Sequence, residues 1–359
     1  MKNRPPDGPR LSTLHSGIGR GPFGPLLALL LVALLLAVAC APVVEPMGPP
    51  TQEARLEADA AVLADGARLP LRRWAAQGGA PHAVILALHG FNDYSNAFEL
   101  PALYWAERGI TTYAYDQRGF GDTASKGLWA GAETLAADAG TIARLIRARH
   151  PGVPFFLLGE SMGGAVLIAA ANPALPPADG VILVAPAVRG RDTMNVVYRT
   201  TLWLGAHLFP WAALSAEGLD IVATDNLAVL QAMQNDPLII KRTRVDAIWG
   251  LVDLMDKAQE NAPKLNRTPT LVVYGTRDEV VPPEPVGTFV ARLPRTVPVA
   301  VYEGGYHMLL RDLGAKPVLD DVLAWIAHPG APLASPADEA GAAYFNRVDS
   351  APKTELSSR

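Results

Sequence analysis

Cysteine is all but missing from this chain: Cys40 stands alone among 359 residues. One cysteine excludes an intramolecular disulfide and a cysteine-rich zinc site. Charge is sparse too, at 18% of residues, and there is no basic surplus, the formal net charge being −4. A nucleic-acid protein would normally carry a basic patch, so no nucleic-acid partner is expected. No metal-ligand spacing and no phosphate-cradling glycine loop occurs, so neither a metal nor a cofactor is expected. Nothing in the sequence points to an obligate protein partner, and no internal repeat is evident. What remains is apolar: half of the residues are hydrophobic. That is too many for a disordered chain and enough to bury one large domain or two ordinary ones.

Apolar residues are most concentrated near the N-terminus. Lys2, Arg4, Arg10 and Arg20 precede an unbroken apolar run from Leu26 to Ala39. The run is short for a bilayer span but suits the core of a signal peptide. It ends Leu36-Ala37-Val38-Ala39-Cys40. Small residues directly before a cysteine resemble the lipobox of bacterial lipoproteins. The resemblance implies cleavage after residue 39, lipidation of Cys40 and attachment to a membrane of the bacterial cell envelope. Two alternatives stay open: an uncleaved anchor running on to Val44, and cleavage elsewhere to give a free exported protein. Loss of residues 1–39, which carry a net charge of +3, would lower the formal charge from −4 to −7.

Residues 40–54 are rich in proline and read as a tether. Residues 329–359, rich in Ala, Pro, Ser and charge, read as a disordered tail. Residues 55–328 read as one domain. It opens with a hairpin in which Leu56–Leu63 and Arg68–Trp74 flank Asp65-Gly66, a favoured tight-turn pair. Short apolar runs then alternate with helical patterns. The runs are Ala83–Leu88, Ile110–Tyr115, Phe155–Leu158, Val181–Val184, Thr270–Tyr274 and Val297–Tyr302. Helical patterns lie near Ala97–Glu107, Ala132–Arg149, Met162–Ala171 and Val318–Ala327. Continuous apolar runs suit strands buried on both faces, and the alternation predicts an α/β fold with a mostly parallel sheet and helices on both sides. Residues 187–267 break the rhythm with helical patterns and little strand signal, which predicts an inserted helical cap. Within it, Met194–Phe209 is apolar around most of its circumference. That suits burial on one side and a lipid or interface on the other, or burial within the cap itself. Asp246, Asp253 and Asp256 read as the solvated face of another cap segment.

In such a sheet, chemistry gathers at the carboxyl ends of the strands. After the third run comes Gly159-Glu160-Ser161-Met162-Gly163-Gly164, which contains Gly-x-Ser-x-Gly between a strand and an Ala-rich helix. A sharp turn there lifts the serine hydroxyl clear, and the flanking glycines remove clashing side chains. A serine nucleophile needs a base, and the base an orienting acid. Asp278 follows the fifth run and His307 the sixth, giving the order Ser161, Asp278, His307. Asp192 is a weaker alternative for the acid, and an ion pair with Arg277 is the competing reading of Asp278. Backbone N–H groups of Met162 and Phe91 are the expected oxyanion donors. His89 reads as a support for the Phe91 loop. Asp116 and Arg118 read as an ion pair tying loops together.

These pieces together resemble the α/β-hydrolase superfamily and, more narrowly, its monoacylglycerol lipase and lysophospholipase group, across residues 81–328. The residues that carry the likeness are His89-Gly90-Phe91, Asp116 to Gly121, Gly159 to Gly164, Gly275 to Asp278, Tyr306-His307 and, in the cap, Asn235-Asp236-Pro237-Leu238. In place of the Gly-Glu-His loop of animal monoacylglycerol lipases, Phe-Asn-Asp-Tyr follows His89-Gly90. The resemblance implies hydrolysis of an ester of a single-chain lipid, a monoacylglycerol or a lysophospholipid, through an acyl-enzyme on Ser161. An esterase or thioesterase for another small acyl substrate and a non-catalytic envelope module are the alternatives.

Overall fold

The structure, a computed structural model, describes residues 41–215, 218 and 220–350. The apolar run Leu26–Ala39 and Cys40 lie outside the described residues. No helix among the described residues is long and apolar enough to cross a membrane.

In chain order the elements are β1 (Arg55–Leu56), β2 (Ala60–Val62), β3 (Arg68–Trp74), β4 (Ala83–Leu88), α1 (Glu99–Ala106), β5 (Ile110–Tyr115), α2 (Ala132–Arg149), β6 (Phe155–Glu160), α3 (Met162–Ala170) and β7 (Gly180–Val184). There follow α4 (Val196–Leu208), β8 (Ala213–Ser215), α5 (Leu227–Asn235), β9 (Arg242–Arg244), α6 (Val245–Asn261), β10 (Thr270–Gly275), α7 (Pro283–Arg292), β11 (Val299–Tyr302), α8 (Lys316–Ala327) and α9 (Ala337–Ser350). Nine strands form one sheet in the order β1-β2-β3-β5-β4-β6-β7-β10-β11. From β5 to β11 every pair is parallel, and β3 joins β5 antiparallel.

The continuous apolar runs are explained by burial on both faces. Along β4, Val84, Leu86 and Leu88 enter the core shared with α2, α3 and α6, while Ala83, Ile85 and Ala87 enter the core under α1 and α8. Successive side chains of a strand point to opposite faces, so an apolar residue is needed at every position. Phe155 and Leu157 against Phe156 and Leu158 repeat the pattern on β6.

The structure departs from the sequence reading at four places. The first arm of the hairpin is split: β1 pairs antiparallel with β2 before β2 pairs with β3. The proline-rich stretch expected to be a free tether lies along the domain. The Glu45 N–H donates to the Trp129 carbonyl at 2.8 Å, and the Thr51 N–H to that of Ala64 at 2.7 Å. Within the tail expected to be disordered from residue 329, Ala337–Ser350 is helix α9, whose Phe345 is 5% exposed and packs on Tyr274, their centroids 5.8 Å apart. Gly341 permits this docking: a Cβ there would sit 1.8 Å from the Val299 carbonyl oxygen.

The fourth departure lies in the cap. β8 and β9 form a small antiparallel ribbon, and α6 turns Val252, Leu254 and Ala258 into the main core. Its acids are not a solvated face. Asp246 is buried and accepts from Arg244 at 3.0 Å, while Asp253 and Asp256 both pair with Arg191.

Candidate active site

Three loops at the carboxyl ends of the parallel strands converge on one cavity of about 310 Å³. Ser161, His307, Gly90 and Phe91 all line it.

Ser161 sits between β6 and α3 with φ of 52° and ψ of −115°. A positive φ is strained for any residue but glycine, so surrounding structure must hold it. Two backbone bonds do so: the Ser161 N–H donates to the Val184 carbonyl, and the Ala187 N–H donates to that of Ser161, both at 2.9 Å. Glycines make the turn sterically possible. A Cβ on Gly163 would lie 2.1 Å from the Leu88 carbonyl oxygen, and one on Gly159 would lie 2.5 Å from that of Gly163. Met162 opens α3, and first-turn amides have no intrahelical acceptor. Phe91 is held from the other side of the cavity by edge-on packing against Phe120 and Trp129, with centroids 5.5 and 6.3 Å away.

Asp278 lies beyond the end of β10. One carboxylate oxygen accepts from the N–H groups of Val280 and Val281 at 2.9 and 2.8 Å. The other meets His307 Nδ1 at 2.8 Å. The loops of Asp278 and His307 touch through Gly275, where a Cβ would come within 2.3 Å of the Gly305 carbonyl oxygen. Arg277 does not claim Asp278; it hydrogen-bonds the Tyr306 hydroxyl at 3.1 Å. Asp192 faces Arg292 instead, at 3.8 Å.

With Nδ1 bound to Asp278, His307 keeps Nε2 available for the serine. Burial alone would push its pKa down, but Asp278 and Glu160 outweigh burial and hold it above 6.5. A base works only when neutral. The acid limb of kcat/KM is therefore expected above pH 6.5, and Asp278→Asn is expected to move it down. A titration of initial rates between pH 5 and 9 reads this; a limb below 6.5 in the unaltered protein would contradict it.

His89 supports the Phe91 loop. Its Nδ1 faces the Gly90 carbonyl at 2.8 Å, and its Nε2 accepts the Gln117 N–H at 2.9 Å. That pairing suits the neutral ring, and burial pushes its pKa down. Asp116 and Arg118 do not pair with each other. Asp116 accepts the N–H groups of Ser95 and Asp122, while Arg118 joins Asp138 and Asp65. Both still tie loops together, with other partners.

The sequence reading missed a buried charge cluster beneath the cavity. Arg311 bonds Asp93 at 2.9 Å and Glu160 at 3.1 Å, and all three side chains are at most 7% exposed. Asp93 lies two residues past Phe91, Glu160 directly before Ser161, and Arg311 four residues past His307. One guanidinium thus joins the three loops. Burial pushes the Glu160 carboxyl up despite Arg311. The available signal was that each loop carries a charged residue within four positions of its key residue.

A hydroxyl, an imidazole and a carboxylate in this order, beside two backbone amides, can carry out acyl transfer. The profile of the family described as "Serine aminopeptidase, S33" matches residues 79–314. Among curated relatives, the monoacylglycerol lipase of Mycolicibacterium smegmatis is 27% identical over 68% of this chain and 88% of its own. The putative monoglyceride lipase of Schizosaccharomyces pombe is 29% identical over 74% and 73%. Among solved structures, a soluble variant of monoglyceride lipase from Saccharomyces cerevisiae, in complex with a substrate analog, gives a TM-score of 0.64 at 20% identity, covering 81% of this chain and 99% of that one. That last likeness bears on the fold alone, which is the α/β-hydrolase fold.

Proposed function

The chain belongs to the serine aminopeptidase S33 family, and on that footing we propose that it hydrolyses carboxylic esters of single-chain lipids, monoacylglycerol or lysophospholipid, while tethered to a membrane. The observation that carries the reading is the shared cavity, in which Ser161 and an Asp278-bound His307 meet a largely apolar lining of Ile239, Leu251, Met255, Val280 and Val281. In the mechanism, Ser161 Oγ attacks the ester carbonyl carbon as His307 takes its proton. The N–H groups of Phe91 and Met162 hold the resulting oxyanion. The C–O bond to the leaving alcohol then breaks, and His307 returns the proton to that oxygen. Water repeats the sequence on the acyl-enzyme, releasing the fatty acid and restoring Ser161.

An ester fits this site better than a peptide N-terminus. An aminopeptidase needs a carboxylate for the substrate's ammonium group, and the two that line this cavity, Asp93 and Glu160, are both engaged by Arg311. The relatives that carry lipase names support the same choice. At about 310 Å³ the cavity lies at the small end of ligand pockets, about 300–1,000 Å³, which suits one acyl chain.

The membrane part of the reading rests on Cys40 and on the cap. Only residues 41–44 separate Cys40 from the first bond of the strap at Glu45, a reach of about 15 Å when extended. A lipid on Cys40 would hold the domain close to the bilayer of a bacterial envelope. On the cap, Val196, Val197 and Tyr198 are 75%, 71% and 63% exposed, and Trp203, Phe209 and Trp211 are exposed beside them. Exposed apolar side chains of this size suit a lipid surface.

The test is a hydrolysis panel across monoacylglycerols, lysophospholipids, thioesters and short soluble esters of graded chain length. Each buried methylene contributes about 0.8 kcal/mol, so two more should raise kcat/KM by roughly tenfold until the cavity is full. Faster turnover of short esters or of thioesters would overturn the lipid assignment.

A further inference from the structure

The charges around the cavity are unevenly paired. Four ionisable side chains of the acid and arginine kinds line it, two of each: Asp93, Glu160, Arg189 and Arg311. Arg311 and the two acids form the closed cluster already described. Arg189 belongs to no such cluster. It lies beyond the end of β7, on the segment that starts with the Ser161-bound Ala187, and is half-buried. Among the described residues it has no hydrogen bond, ion pair or ring contact, whereas its neighbour Arg191 takes Asp253, Asp256 and the face of Trp249. Asp253 and Asp256 are thus taken by Arg191, and Asp192, on the same segment, faces Arg292.

A half-buried guanidinium beside an apolar cavity loses water without gaining a counter-ion, which is unfavourable. An anionic group on a ligand would supply the missing partner, and the planar fork of arginine matches phosphate oxygens well. Asn92 gives a second sign of an unfilled polar role. It also lines the cavity, at a φ of 66°; its amide nitrogen donates to Thr243 at 2.7 Å, and its buried Oδ1 has no partner.

We propose that Arg189 is an anion subsite of this cavity, and that it selects single-chain lipids whose head group carries a phosphodiester with net negative charge over the uncharged glycerol ester. The inference rests on the ester-hydrolase reading and narrows its substrate class. A head group of phosphoglycerol type would present the phosphate to Arg189.

The experiment compares kcat/KM for three esters with one acyl chain, carrying glycerol, phosphocholine or phosphoglycerol, each dilute in neutral detergent micelles. The full chain is used, with Arg189→Gln and Arg189→Lys as variants. The expected ratio of phosphoglycerol over glycerol ester is above one in the unaltered protein and falls by roughly 10- to 100-fold in Arg189→Gln, the range of a charge-assisted hydrogen bond. The loss should appear mainly in KM, and Arg189→Lys should recover part of it. A merely structural role would lower both rates together and leave the ratio unchanged, which overturns the proposal. Inorganic phosphate is the control for a free anion. If it competes with the glycerol ester in the unaltered protein and not in Arg189→Gln, while the lipid ratio stays near one, the head-group assignment falls. If none of the three esters is turned over, the hydrolase reading fails by itself. Binding of the same lipids to Ser161→Ala, with and without Arg189→Gln, then still decides the role of Arg189.

Discussion

Ser161→Ala is expected to fold and to lose ester hydrolysis by about 10⁴- to 10⁶-fold, the scale seen when the nucleophile of a triad is removed. The geometry explains why the loss should be so large. In the proposed mechanism Ser161 is the group that bonds the acyl carbon, and no other hydroxyl is offered at the β6–α3 turn. A residual rate should survive, because in the proposed mechanism the amides of Phe91 and Met162 and the apolar lining would still bind and polarise the ester. The fold should persist because the bonds that hold the turn, to Val184 and from Ala187, are made by backbone atoms. Thermal unfolding beside initial rates with a long-chain monoacylglycerol reads both parts. A folded variant with ordinary turnover would remove Ser161 from the mechanism.

Arg311→Met carries the second large effect, and here stability and activity fall together. The substitution leaves Asp93 and Glu160 buried without their shared cation. Breaking a buried pair by removing one partner costs about 3–5 kcal/mol, because the remaining charge is uncompensated. For a domain of this size that corresponds to a fall in Tm of roughly 10 °C. Activity should drop further than the loss of folded protein explains. Asp93 anchors the loop of Phe91, Glu160 precedes Ser161, and the turn of Arg311 begins at Met308, next to His307; the Arg311 N–H donates to the Met308 carbonyl at 2.7 Å. Arg311→Lys keeps the charge but not the fork that spans two carboxylates, so an intermediate Tm is expected. Calorimetry of the three proteins would decide it, and an unchanged Tm in Arg311→Met would contradict the account of the cluster.

The parts of the fold legible in the sequence were those with a strong local pattern. The apolar runs of β4, β5, β6, β7 and β10 could be read because strands buried on both faces need apolar residues throughout. α7 was missed because it is ten residues long, Pro283-Glu284-Pro285 opens it and Gly287 interrupts it, residues that locally read as a turn. α9 was missed for a related reason: its sequence is mostly small or polar, and its docking rests on Tyr344, Phe345 and a glycine with no side chain to see. β8 and β9, at three residues each, are below what any periodicity can show.

At the site, Ser161, Asp278 and His307 could be picked out because each follows a strand in the order that acyl transfer on such a sheet requires. The structure brings Ser161 and His307 to one cavity and joins His307 to Asp278. The Arg311 cluster and the solitary Arg189 could not be read in the same way. Both depend on which charges end up buried together and which are left out, and no local spacing encodes that.

The most direct measurement of the central claim is active-site labelling with a long-chain fluorophosphonate, followed by mass analysis of the peptides. The account predicts one adduct per chain, on the peptide that contains Ser161. It also predicts that labelling slows sharply in His307→Ala and is lost in Ser161→Ala. A folded protein that takes up no label, or takes it up at another residue, would contradict it.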